Sequence, residues 1–126
     1  MTRVIDVVAG LARDGASYEF EGEHHGDTGV SFEGEHHGDT GVSFILVDAP
    51  PMGGPKLHRH PYDEVFVVHE GSVTFTTEDE VVEARGGQVV VVPAGVPHRF
   101  VNSGTGRLKQ IDIHASGRFI MEWLDE

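Results

Sequence analysis

In the stretch GGPKLHRHPYDEVFVVHEG, His58 and His60 stand two residues apart and Glu64 follows four residues later. On an extended strand successive side chains alternate between faces, so both imidazoles project from the same side. Pro61, Tyr62 and Asp63 can bend the chain before Glu64. Further on, in GGQVVVVPAGVPHRFVNSG, His98 follows a Pro93-Ala94-Gly95 turn. Neutral imidazoles with a carboxylate suit a single borderline divalent ion such as Fe, Mn, Ni, Zn or Co. Four protein donors leave open positions on a five- or six-coordinate ion, which separates a working site from a structural one. Such a centre can bring O2 and a chelating substrate together, polarise a carbonyl or enolate, or acidify water.

Period-two counting places further residues beside these donors. Glu64 brings Phe66 and Val68 to its own face, and His98 brings Phe100. These either wall a pocket or pack an ordinary core. His114, in QIDIHAS, shares phase with Gln110 and Asp112, on a face that is either solvated or a polar pocket wall. Tyr62 either aims its phenol at the metal's open position or packs at the turn. His69 falls on the opposite face from Glu64.

The elements that must carry these residues are short and β-branched. ILVDAPP, EVFVVHEG, SVTFTTED, VVEARGG, QVVVVPAG, PHRFVNSG and RLKQIDIH alternate with Gly, Pro, Asp and Asn, which predicts an all-β sandwich or barrel. Val4, Val7, Val8 and Leu11 have the spacing of a short amphipathic helix. In the tail, Phe119, Ile120, Trp123 and Leu124 share one helical face, with a final strand as the alternative. Nothing marks a linker, so residues 1–126 are expected to form one domain.

One segment repeats itself. FEGEHHGDTGVS occupies residues 20–31 and recurs letter for letter at 32–43. This tandem 12-residue duplication reads as hairpin or edge-strand material, with EHHGDTG supplying the turn. Identical copies leave the pairing register open, since either can take one slot. His24-His25 and His36-His37 are expected to be solvated turn histidines, because neighbouring residues on a strand point apart.

His58-x-His60-x3-Glu64-x6-Gly71 resembles the first motif of the cupins, and Gly87-x5-Pro93-x-Gly95-x2-His98-x3-Asn102 resembles the second. One position departs: where the family usually has a leading glycine, six residues before the first histidine, this chain has Met52. The resemblance implies a double-stranded β-helix, the jelly-roll barrel of a small cupin, with short helices at one or both termini. It implies one divalent transition metal held by His58, His60, Glu64 and His98. Gly71, Gly87, Pro93, Gly95 and Asn102 would then be turn-makers. The activity expected on this ground is a dioxygenase of the quercetinase or diketone-cleaving type. The alternatives are an oxygen-independent isomerase, epimerase or lyase, and a ligand-binding cupin without catalysis. Small jelly rolls have exposed edges, and a homodimer is expected.

Composition narrows the partners. The formal charge is −12, and each repeat copy contributes only three of the acids, so the chain stays acidic without it. Such a surface repels phosphate backbones and argues against nucleic acid. No apolar run approaches the ~20 residues of a bilayer crossing. The absence of cysteine rules out disulfides and thiolate metal sites and agrees with a cytoplasmic location. A small-molecule substrate remains.

Overall fold

The segment Ser43–Ala49 sets the pattern for the whole molecule. Ser43, Ile45, Val47 and Ala49 are buried while Phe44, Leu46 and Asp48 face outward, the period-two burial of a strand with one face on a core. The computed structural model describes residues 2–5, 12–13 and 29–124. In chain order the strands are β1 (Ala12–Arg13), β2 (Gly29–Phe32), β3 (Ser43–Ala49), β4 (His58–Arg59), β5 (Glu64–Glu70) and β6 (Ser72–Thr77). They continue with β7 (Val81–Arg85), β8 (Gln88–Val92), β9 (His98–Asn102), β10 (Leu108–His114) and β11 (Glu122–Trp123). Each of the seven β-branched runs read from the sequence forms a strand, β3 and β5 to β10.

These strands pair antiparallel in two sheets, ordered β1-β2-β3-β10-β5-β8 and β11-β4-β9-β6-β7. The inward faces bury Ile45, Val47, Phe66, Val68, Val73, Phe75, Phe100 and Leu108 between the sheets. This is the all-β double-stranded β-helix expected from the motifs. Among the described residues the helical structure is one 3-10 turn, Gly34–His36. The tail takes its strand alternative: Trp123 and Glu122 pair with His58 and Arg59. Val7, Val8 and Leu11, the core of the expected N-terminal helix, lie outside the described residues. No described helix is long and apolar enough to cross a membrane.

Two backbone positions explain the loop before β4. A side chain on Gly54 would place its Cβ 1.9 Å from the Phe100 carbonyl oxygen, so only glycine fits against β9. Met52 has φ +72°, the left-handed region that favours glycine, which accounts for the family's usual residue at this turn. Asn102 then locks the loop to β9. Its side-chain amide donates to the carbonyls of Ala49 (3.0 Å) and Gly106 (2.8 Å), while its oxygen accepts from the Gly104 N–H at 2.9 Å.

The residues just after the duplication settle its register. β2 is the end of the first copy plus Phe32, and it pairs with β3 so that Phe32 stacks on Phe44 at 4.8 Å. The second copy alone runs on into Ile45-Leu46-Val47. Were the first copy in this slot, Glu33 and Glu35 would fall at the buried positions of Ile45 and Val47. Unpaired charge there costs several kcal/mol each, so the second copy wins. Residues 20–28, with His24 and His25, lie outside the described residues. Deleting residues 20–31 or 32–43 yields the same polypeptide, in which Ser17-Tyr18-Glu19 precede the retained loop and take the β2 position. That chain is expected to fold, with a circular dichroism spectrum and melting curve close to those of the full sequence.

Candidate metal centre

Two cross-strand pairs bring the donors together from opposite sheets. His58 on β4 lies opposite His98 on β9, while Glu64 on β5 lies opposite His114 on β10. Residues opposite one another in a ladder share a face, so each pair points inward as a unit. Pro61-Tyr62-Asp63 carries the chain from one sheet to the other, and Asp63 anchors the crossing by accepting the Ala94 N–H at 2.9 Å. His60, two residues past His58, joins the same interior.

His58, His60, Glu64 and His98 are all buried, and one donor atom from each lies within 4.8 Å of the others. Glu64 Oε1 is 3.0 Å from Nε2 of both His60 and His98. Donors bound at about 2.1 Å to one ion lie about 3–4 Å apart, so these separations suit a shared cation. The remaining nitrogens show which way the rings present themselves. Nδ1 of His58 meets the Lys56 carbonyl at 2.7 Å, that of His60 the Ile120 carbonyl at 2.8 Å, and that of His98 the Val96 carbonyl at 2.9 Å. A carbonyl only accepts, so in each neutral ring the proton is on Nδ1 and the lone pair is on Nε2. Three lone pairs therefore meet a carboxylate. His60 Nε2 is a buried atom with no hydrogen-bond partner. The donor set fits a divalent transition ion.

Charge states at the centre follow from burial and close neighbours. Burial foremost, then the nearby His98, holds the His58 imidazole down to about 3 from its usual 6.5, against the opposing pull of the Lys56 carbonyl and Glu64. Burial alone would raise Glu64, but hydrogen bonding from the surrounding imidazoles, His114 foremost, holds the carboxyl well below the usual range wherever a ring presents a proton to it. Asp112 differs: burial, reinforced by Glu64, pushes it well above 3.8, opposed by the Gln110 amide at 2.9 Å. Burial also raises the Tyr62 phenol to about 12, so it keeps its proton at neutral pH.

The other residues singled out in the sequence fall into three groups. Phe66 and Phe100 are buried and pack with Phe75, with the Phe66 ring centroid 6.0 Å from that of His98. They are core and, at one end, neighbours of the donors. Tyr62 stacks on His60 at 5.0 Å, and its hydroxyl lies 2.7 Å from His114 Nδ1 rather than pointing to the donor atoms. His114 is fully buried with Nε2 3.1 Å from Glu64 Oε2. His69 is exposed, on the face opposite Glu64.

The C-terminal segment closes one side of the centre. Besides the Ile120 carbonyl on His60, Trp123 packs on His58 at 5.1 Å and Phe119 meets the His114 ring edge-on at 4.9 Å. Arg59 pairs with Glu122 at 2.8 Å, and the repeat loop holds the segment from behind, Glu33 accepting the Phe119 N–H at 3.0 Å. Sequence reading found these residues apolar but gave no sign of their contacts, because main-chain groups make several of them. The second histidine pair is apart from the centre. His37 stacks on Phe32 at 4.5 Å, while His36 is exposed beside Glu33 and Glu35.

Residues 45–114 match the family model of the cupin domain, and the chain belongs to that family. Solved structures of the same architecture include an oxalate oxidase, 23% identical over 68% of this chain and 47% of that one, with a TM-score of 0.60. An oxalate decarboxylase from Lactobacillus farciminis, solved as a formate complex, is 18% identical over 86% of this chain and 34% of its own, with a TM-score of 0.70. An uncharacterised conserved protein from Klebsiella pneumoniae with a double-stranded β-helix domain is 19% identical over 69% and 74%, with a TM-score of 0.63. The match thus spans about half of the oxidase and a third of the decarboxylase. At these identities the likeness is one of fold. No curated protein matches the chain in sequence.

The depressed His58 has a consequence for the metal-free protein. Unfolded, this imidazole takes up a proton below its usual 6.5; folded, it does so only near 3. Its contribution to stability is therefore complete above pH 6.5 and lost as pH falls toward 3. Chemical denaturation of the apoprotein between these limits is expected to show that loss, and His58→Gln, with no such proton to gain, is expected to show less of it.

Proposed function

We propose that the protein is a metal-dependent cupin enzyme, a dioxygenase acting on an enolate-forming small molecule of the diketone or flavonol kind. The observation that carries this reading is the buried convergence of three imidazole Nε2 atoms and one carboxylate oxygen. His58, His60, Glu64 and His98 would hold the ion. When bound, a redox-active ion supplies Lewis-acid and one-electron chemistry at that point. With neutral imidazoles and one carboxylate, a divalent centre has a net charge of +1, which complements a mono-anionic enolate in a dry interior. Phe66 and Phe100 keep water from its inner side, and Trp123, Ile120 and Tyr62 offer apolar and aromatic surface near its rim. The Tyr62 phenol, protonated at neutral pH, leaves that charge balance unaltered.

The test is oxygen uptake by untagged protein loaded in turn with Fe(II), Mn(II), Ni(II), Co(II) or Zn(II), across diketones and flavonols. Oxalate belongs on the panel because the architecture is shared with an oxalate oxidase and an oxalate decarboxylase. Uptake with a redox-active metal, abolished by Glu64→Ala, is the expected result; none with any metal and substrate overturns the dioxygenase reading. Turnover without oxygen would point instead to an isomerase, epimerase or lyase at the same centre.

We further propose a homodimer that covers the outer face of the six-stranded sheet. Val91, Val65, Ile113 and Phe44 lie in register across four strands there, as do Val89, Val67, Ile111 and Leu46. Val89 and Val91, on the edge strand, are 59% and 61% exposed. Two unbroken apolar rows on an outer face favour a partner. Sedimentation is expected to give a dimer that the double substitution Val89→Lys, Val91→Lys converts to monomer.

A further inference from the structure

Glu64 differs from the histidines around it. The rings of His58, His60 and His98 are each aimed by a backbone carbonyl, whereas a carboxylate can rotate and present either oxygen or both. In this structure its oxygens are divided. Oε1 is the one 3.0 Å from His60 and His98, while Oε2 is 3.1 Å from His114 Nε2. We propose that Tyr62 and His114 form a positioning pair that orients Glu64 so that Oε1 alone is offered to the metal.

The direction of the hydrogen bonds follows from elimination. The Ile120 N–H donates to the Tyr62 hydroxyl oxygen at 3.2 Å, and that hydroxyl meets His114 Nδ1 at 2.7 Å. If His114 Nδ1 carried the proton, its bare Nε2 would face the Glu64 carboxylate, lone pair against negative charge in a buried setting. With Tyr62 donating to Nδ1, the proton is on Nε2, which lies 3.1 Å from Oε2 without in-line hydrogen-bond geometry and has no hydrogen-bond partner elsewhere. His114 is thus the opposite tautomer from His58, His60 and His98. A ring protonated on Nε2 cannot ligate through it, so His114 supports the centre without joining it. The pair is itself confined: Tyr62 lies flat against His60, with 13° between the rings, and Phe119 packs edge-on to His114. Outer partners of metal ligands commonly set ligand orientation and affinity in this way.

This inference rests on the metal reading, and its test separates the two. Untagged, metal-free protein is titrated with Co(II), following heat by calorimetry and geometry by visible absorption. Tyr62→Phe keeps the ring stack and removes only the hydroxyl; it is expected to weaken Co(II) binding about tenfold and alter the absorption bands. His114→Leu is expected to weaken binding by ~10–100-fold. His114→Gln, whose amide can donate toward Oε2, recovers part of that loss. Circular dichroism and melting of the metal-free variants check the fold, and the Tyr62 variant decides if a His114 variant does not fold. If the unaltered protein takes up no Co(II), the metal reading itself fails. If it binds and Tyr62→Phe matches it in affinity and spectrum, the positioning role is overturned.

Discussion

A carboxylate buried between two β-sheets must be met by positive charge, and here the nearest nitrogens present lone pairs instead. The backbone is the cause: carbonyls of Lys56, Val96 and Ile120 take the Nδ1 protons and turn three Nε2 atoms inward. In a low-dielectric interior such a cluster of acceptors is unfavourable on its own, and a cation resolves it. The arrangement sits on paired strands of the two sheets. Two ladder pairs, His58 with His98 and Glu64 with His114, define it from opposite sheets.

The placing of the donors depends on closely packed turns. Gly54 lies against the Phe100 carbonyl, and Asn102 gathers carbonyls from the neighbouring loops. Met52 takes a backbone conformation that glycine would take without strain. These positions contribute no ligand. They hold β4 and β9 close enough for two histidines to face each other.

The tail and the second copy of the repeat are drawn into the same task. The tail passes over the donors, accepting from His60 and donating to Tyr62 through one residue, Ile120. The second copy of the repeat, whose histidines first attract notice, contributes through Glu33, which holds the tail at Phe119. Its imidazoles stay at the surface or on Phe32. The second copy is linked to the centre through the tail, and its own imidazoles are not among the four converging side chains.

Much of this was legible in the residues alone. Period-two alternation carries over directly into burial, so the shared face of Glu64 and Phe66, and of His98 and Phe100, could be counted off the chain. The two motifs identified the family and picked out the four side chains that converge. His114 and Tyr62 were recognisable as polar candidates, but the contact between them was not, since 52 residues separate the partners. Nor could the tail be decided, because its apolar spacing suits a helix as well as the strand it forms against β4. Carbonyls leave no trace in a sequence, as every residue has one. Sequence by itself determined which side chains share a face; only tertiary structure decided which main-chain groups meet them, and hence which nitrogen carries each proton.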